Sequence, residues 1–214
     1  MNYLVFSSQH YAFVVNAFVS LLKRADMTRY ELFLRETRTY EIIEDVKNFR
    51  SEIGVLFLNG YNRDVLTKMF DDNRLTYTSL FKARPHIFVS KSNPLAKHKV
   101  VSLEDLEDFP YLSYDQGIHN SFYYSEEILS QIPHKKSIVV SDRATLFNLL
   151  IGLDGYTIAT GILNSNLNGD NIVSIPLDVD DEIDIVYLKH EKATLSKMGE
   201  KFLDNLVKEV TFDD

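Results

Sequence analysis

Ser7, Ser8, Gln9 and His10 interrupt an otherwise apolar run, LVFSSQHYAFVVNAFVSLL, that begins at Leu4. Hydroxyls, a carboxamide and an imidazole can donate to and accept from a bound molecule. They fall where a strand over 3–6 gives way to a helix over about 11–22. The first N–H groups of a helix have no partner inside it, and the macrodipole adds about half a positive charge there. An anion fits such a place without Lys or Arg. Ser7 and Ser8 can add hydroxyl donors and Gln9 an amide. The structural alternative is that Ser8 only caps the helix, a contribution of about 1 kcal/mol.

Other candidates follow from where open α/β sheets place ligands, beyond the carboxyl ends of their strands. Asn59 ends the apolar run IGVLFLN; it also suits a plain turn beside Gly60. Tyr114, Gln116 and Gly117 lie in YDQG after a second strand, where Asp115 and Gly117 equally make an ordinary turn. Thr160 closes YTIAT near a crossover between lobes. Arg143, one turn into a helix, could face a carboxylate or solvent. The chain's 6 His are dispersed, with no HExxH or i, i+4 pair, so neither a metal site nor a cofactor is expected. GxSxG, P-loop and GxGxxG patterns are absent among the 8 glycines, and no catalyst is proposed.

These positions need elements to hold them. YELFLRET alternates as a strand does, Thr39 is placed to cap a helix carrying Ile42, Ile43, Val46 and Phe49, and IGVLFLN reads as a buried strand of a parallel sheet. Strand, helix, strand, helix, strand is the order of an α/β lobe with right-handed crossovers. A helix follows near Asp64–Phe70, then strand character on both sides of Pro85. In VSLEDLEDFP, Ser102 and Asp105 form a capping box closed by Pro110. The alternation restarts with YLSY, a helix over SFYYSEEILSQIP ending at Pro133, the strand KSIVV, a helix capped by Ser141 and ended by Gly155, and YTIAT. IVSIPL, IDIVYL and an amphipathic helix with Phe202, Leu203, Leu206 and Val210 complete the chain. Two α/β lobes are expected. The first helix is apolar nearly all round, with Val15 and Val19 left over for a partner chain.

At 214 residues the chain can bury roughly 70% of its unfolded surface. Its net charge is −8 and its Lys and Arg are scattered, which argues against nucleic-acid binding by this chain itself. The absence of Cys removes disulfides, thiolate metal sites and Cys nucleophiles, and fits a cytoplasmic setting. No apolar run reaches the roughly 18 residues of a membrane span, so no membrane partner is expected. No secretory signal is seen at the N-terminus.

The stretches HIFVSKSNPLAKHKVVSLEDLEDFPYLSY, SDRATLFNLLIGLDGYTIATGIL and TLSKMGEKFLDNL together resemble the effector-binding domain of LysR-type transcriptional regulators. The resemblance covers most of the chain. It departs at GYTIATGIL, where the family more often has paired glycines and a later proline. It implies two Rossmann-like lobes joined by two crossover strands, a periplasmic-binding-protein-like fold of type 2. Lobe I would be 1–84 with 162–214, and lobe II 85–161. A small anionic metabolite would sit in the interlobe cleft, and Ser7, Ser8, Gln9, Asn59, Tyr114, Gln116, Gly117 and Thr160 would be its ligands. The family also implies a head-to-tail homodimer through the first helix, and DNA contact only through an N-terminal winged helix-turn-helix that this sequence lacks. The alternative on the same fold is a stand-alone solute-binding protein of a transporter. An enzyme on this plan, such as porphobilinogen deaminase, needs a cofactor-bearing Cys.

Overall fold

In the computed structural model, which describes residues 2–163, 167 and 169–210, the opening apolar run splits into strand β1 (Asn2–Ser8) and helix α1 (Ala12–Leu22). Strand β2 (Tyr30–Glu36), helix α2 (Thr39–Lys47), strand β3 (Ile53–Leu58), helix α3 (Arg63–Asp72) and strand β4 (Leu75–Ala83) follow. β1 pairs in parallel with both β2 and β3, the arrangement that helical crossovers impose. The unbroken apolar run of β3 is buried along its whole length. Covering it requires α2 to lie very close. A Cβ on Gly54 would stand only 2.7 Å from Ile42 Cγ2 and 2.9 Å from Val46 Cγ2, so only glycine leaves room for that approach. Thr39, expected as the cap of α2, is instead its first helical residue. Arg38 takes the extended capping position, and Glu41 supplies the negative charge of the first turn.

The middle of the chain builds a second sheet from β5 (His86–Ser90), β6 (Tyr111–Tyr114), β7 (Ser137–Val140), β8 (Tyr156–Ala159) and β9 (Ile172–Pro176), in the order β7-β6-β8-β5-β9. β6 runs parallel to β7 and β8, while β5 is antiparallel to β8 and β9. Helix α4 (Arg143–Gly152) packs Leu146 and Leu150 with Phe88, Leu112, Val140 and Ile172 into one core. The box at Ser102 forms as expected: Ser102 N–H donates to Asp105 Oδ2 at 2.8 Å, and Asp105 N–H to Ser102 Oγ at 3.4 Å. The cap of α4 is Asp142 rather than Ser141, because its carboxylate accepts from Thr145 N–H at 2.8 Å.

The expected helix over 121–133 does not form. A single 3-10 turn at Phe122–Tyr124 leads into extended Ser125, and Leu129 adopts φ 59°. Tertiary contacts override helix propensity here. The carboxylates of Glu126 and Glu127 turn inward to Gln116 Nε2 and Tyr114 N–H, a direction that a surface helix would not give them.

The chain then returns to the first sheet through β10 (Ile183–His190), which lies between β3 and β4 and is antiparallel to β3. Helix α5 (Lys197–Lys208) finishes the first unit by packing on α1. Phe202 stacks on Phe6 with ring centroids 4.4 Å apart and planes 10° apart, and Asn205 Nδ2 donates to Ala17 O at 3.3 Å. Val210, expected in the apolar stripe of α5, lies beyond the end of the helix. The two units are Met1–Phe81 with Asp184–Asp214, and Lys82–Ile183. The second crossing therefore falls later than the 161/162 boundary read from sequence. The cause is β9, which is hydrogen-bonded to β5 and keeps residues 172–176 in the second unit.

Candidate functional site

In the first unit the parallel strands β1, β2 and β3 end at one edge, and the chain crosses that edge at Ser8–Tyr11, Thr37–Thr39 and Asn59–Asn62. Gln9 ties these crossings together. Its Nε2 donates to Thr39 Oγ1 at 2.6 Å, and its Oε1 accepts from Tyr11 OH at 2.6 Å and from Phe57 N–H at 3.1 Å. Thr37 N–H donates to Ser8 O at 2.9 Å. The Gln9 carboxamide is thus a brace within the protein, not an amide left over for a ligand. Ser8 donates to the Gln9 carbonyl at 2.5 Å, so it does not cap α1. The N-cap of α1 is Tyr11, with no side-chain hydrogen bond to the helix and no acidic residue in the first turn. Among the described residues α1 is the one α-helix of this kind: α2, α3 and α5 carry Glu41, Asp64 and Glu200 in their first turns, and α4 has its Asp142 cap. Its positive end is uncompensated by any carboxylate of its own.

Ser7 is not part of this edge constellation. Successive side chains of a strand point to opposite faces, and Ser7 turns toward α2. There its hydroxyl meets Ser51 Oγ at 2.5 Å and donates to Asp45 Oδ2 at 3.2 Å. The expectation that Ser7 adds a donor at the mouth of α1 is corrected by this alternation. Asn59 does lie at the edge, where it builds the turn: its Oδ1 accepts from Tyr61 N–H and Asn62 N–H, both at 3.1 Å, and its own N–H donates to Asn62 Oδ1 at 2.8 Å.

The second unit repeats the plan. β6, β7 and β8 are parallel, and their carboxyl ends bring Tyr114–Gly117, Asp142 and Thr160 to one edge. Gly117 has φ 61° and donates to Asp115 Oδ1 at 2.8 Å, a tight side-chain turn that glycine makes without strain. Gln116 is buried with its Nε2 on Glu126 Oε1 at 3.0 Å. Thr160 Oγ1 accepts from Ile162 N–H at 3.4 Å. Gly161 follows at φ 83°, where a Cβ would come within 2.6 Å of the His86 ring. Arg143 lies over the Phe147 ring, 5.9 Å from its centroid, in a cation–π contact.

Sequence reasoning missed the buried carboxylates that support this edge. Glu127 is 3% exposed and its Oε1 accepts from Tyr114 N–H at 2.9 Å. Burial above all, and then the neighbouring Glu126, push its pKa well above the ordinary carboxyl value. Beneath the edge Tyr111 stacks on His134 at 3.7 Å, and His134 Nδ1 lies 3.0 Å from Tyr156 OH. Burial lowers the His134 pKa and raises that of Tyr156 to about 12. The only signal in the sequence is the EE pair at 126–127, inside the segment expected to be helical. No group of three or more His, Cys, Asp and Glu among the described residues could hold a metal ion.

A family model described as the LysR substrate binding domain matches residues 12–211. No curated protein matches the chain. Among solved structures, the reduced regulatory domain of OxyR from Pseudomonas aeruginosa is similar with a TM-score of 0.69 at 11% identity, covering 100% of this chain and 98% of that one. The effector-binding domain of QuiR in complex with shikimate gives 0.61 at 16% identity, covering 97% and 96%. The effector-binding domain of a BenM variant gives 0.64 at 16% identity, covering 98% and 94%. Likeness at such identities shows a shared fold.

Proposed function

The chain belongs to the family of LysR substrate-binding domains, and from that premise we propose that it senses a small organic anion through the carboxyl edges of its sheets. A ligand-sensing regulatory domain is what the family is. The observation that carries the choice of an anion is the start of α1, which has neither an acidic first turn nor a side-chain cap. Backbone N–H groups there, with Ser8, form the first set of contacts. Tyr114, Gln116, Gly117 and Thr160 form the second, and Gln9 and Asn59 hold the backbone in place. The complex of the QuiR domain with shikimate makes hydroxylated carboxylates the first ligands to try.

Binding switches the regulator only by as much as the ligand prefers one conformation over another. The response passes through a homodimer, head to tail, in which the half-buried Val15 and Val19 of α1 meet the partner chain. DNA is contacted by the winged helix-turn-helix of a full-length regulator, in the cytoplasm, and the ligand is released unchanged. No helix among the described residues is long and apolar enough to cross a membrane. The test is a thermal-shift screen of shikimate and other small carboxylates, in which a ligand at 100 times its Kd adds about 2.7 kcal/mol. Ser8→Ala and Thr160→Val are expected to abolish the shift, Ser8→Ala also lowering the unliganded Tm by about 2–4 °C through its lost hydrogen bond to the Gln9 carbonyl. A panel without any shift, or a shift that survives both substitutions, refutes the reading, and chromatography of the recovered ligand checks that it is not turned over.

A further inference from the structure

A cavity of about 490 Å³ opens on the α2 face of the first unit. It is lined by Tyr3 of β1, Ser51 and Glu52 just before β3, and His190 at the end of β10, toward the amino ends of β1 and β3, and by Arg35, which reaches it from near the carboxyl end of β2. Of the candidate-site residues, Ser8 and Gln9 lie at the far end of β1 and Asn59 beyond the far end of β3, and none of the three lines the cavity. Its volume falls in the range of small-molecule sites, roughly 300–1,000 Å³.

The cavity wall holds unused guanidinium donors, although Asp45 and Glu52 balance the formal charge of its two arginines. Arg35 Nη1 is 2.7 Å from Asp45 Oδ2 and Arg50 Nε is 2.8 Å from Asp45 Oδ1, so two guanidiniums share one carboxylate. Asp45 is 3% exposed, whereas the arginine side chains are 46% and 55% exposed and line the cavity. Each guanidinium carries five N–H donors in a planar fork, far more than one carboxylate can occupy. The other acid on the wall, Glu52, already accepts from the backbone N–H and hydroxyl of Ser196 at the start of α5.

Phe49 provides the second, independent observation. It follows α2 at φ 56°, where Phe49 N–H donates to Val46 O at 3.2 Å and Arg50 N–H to Asp45 O at 2.8 Å. Helices usually close such a left-handed turn with glycine or asparagine, and a bulky side chain there is strained. Yet this residue keeps an aromatic ring, 62% exposed, with its centroid 4.3 Å from that of His190. The contact with His190 uses one part of the ring, and the rest walls the cavity with the exposed ring of Tyr3 and is open to a flat apolar body.

We propose that this cavity is a second ligand site, for a small organic acid whose carboxylate is held by Arg35 and Arg50 and whose flat apolar body packs on Phe49 and Tyr3. The site is independent of the sensing edge. Benzoate is the probe, with benzyl alcohol and inorganic phosphate as comparisons, followed by amide chemical shifts in NMR. Benzoate should move the resonances of residues 49–52, and each comparison should bind about tenfold more weakly or worse. Phe49→Gly, which relieves the backbone, should keep or raise the unliganded Tm while weakening benzoate by about tenfold. Arg50→Gln should weaken benzoate likewise, and Ser8→Ala should leave it unchanged. Resonances of 49–52 that stay still under saturating benzoate overturn the proposal. So does an affinity unaltered by Phe49→Gly, or phosphate that binds as well as benzoate. Loss of benzoate binding on Ser8→Ala alone assigns the probe to the carboxyl edge and also overturns it.

Discussion

The stack of Phe6 on Phe202 fixes α5 against the sheet and, with Phe18, clamps α1 from its buried side. Both stacked rings are completely buried, and Phe18 meets them edge-on at 6.3 Å and 6.4 Å. Truncating a core Phe to Ala costs about 3–5 kcal/mol, and keeping the Leu carbons leaves roughly 1–2 kcal/mol of that. Phe6→Leu and Phe202→Leu should each cost this much. Aromatic pairs contribute about 0.5–1.5 kcal/mol beyond the area they bury. The double variant should therefore be more stable than the sum of the single losses implies, by about that coupling. A native stability of about 5–15 kcal/mol leaves all three variants folded. The chain has no Trp, so urea unfolding followed by far-ultraviolet circular dichroism is the assay. Leu150→Val in the core of the second unit serves as control, and paired with Phe202→Leu it should be additive within about 0.5 kcal/mol. A Phe6–Phe202 coupling below about 0.3 kcal/mol would refute the view that the rings act as a pair rather than as separate apolar volume.

In the second unit, a Cβ at Gly155 would stand 2.2 Å from Leu112 Cδ1 and 3.0 Å from the carbonyl of Pro110. Gly155→Ala should cost about 1–3 kcal/mol by overpacking, and calorimetry showing an unchanged Tm would refute this. Glu127 has a folded-state pKa raised above its ordinary value of 4.5, so its stabilisation is complete below that value and is lost as pH rises toward the raised one. Glu127→Gln should gain on the parent as pH rises and lose that advantage toward pH 4.5. The difference between the two proteins is the quantity to measure, because His134, with a lowered pKa, loses stabilisation as pH falls below its ordinary 6.5. A difference that does not vary with pH would count against the buried carboxyl.

The central strand and the alternation of the first unit were legible because continuous burial leaves a continuous apolar run, and β3 was recognised on that basis. The capping box at Ser102 was equally plain, since its chemistry is local. What failed was decided by which partner a side chain or strand takes in three dimensions. Ser141 and Asp142 are both good capping residues, and the choice between them depends on which side chain reaches Thr145 N–H. The segment 121–133 looks helical until Tyr114 N–H and Gln116, 13 and 10 residues back along the chain from Glu127 and Glu126, claim its carboxylates. The late unit boundary rests on β9 choosing β5 as its neighbour, and a strand does not carry its partner's address. The carboxyl edges of the sheets, where Ser8, Gln9, Asn59, Tyr114, Gln116, Gly117 and Thr160 lie, were legible because they follow from where each strand ends. The sequence could not tell that Ser7 faces the other side, because two adjacent serines look alike until the pleat is drawn.

The position of β10 sets an order on how the chain can be made. Its residues come nearly last, yet it is the neighbour of β4 and the bridge between β4 and β3. While a ribosome is still extending the chain past 183, the contiguous middle unit has all its strands and is able to close. The first unit at that moment is split, with β4 unpaired and an apolar β3 uncovered along one side. Exposed strand edges of this kind invite aggregation and slow, long-range pairing. The final few dozen residues therefore act as the closing wedge of the older half, and the period before they emerge is when the nascent protein most needs a chaperone.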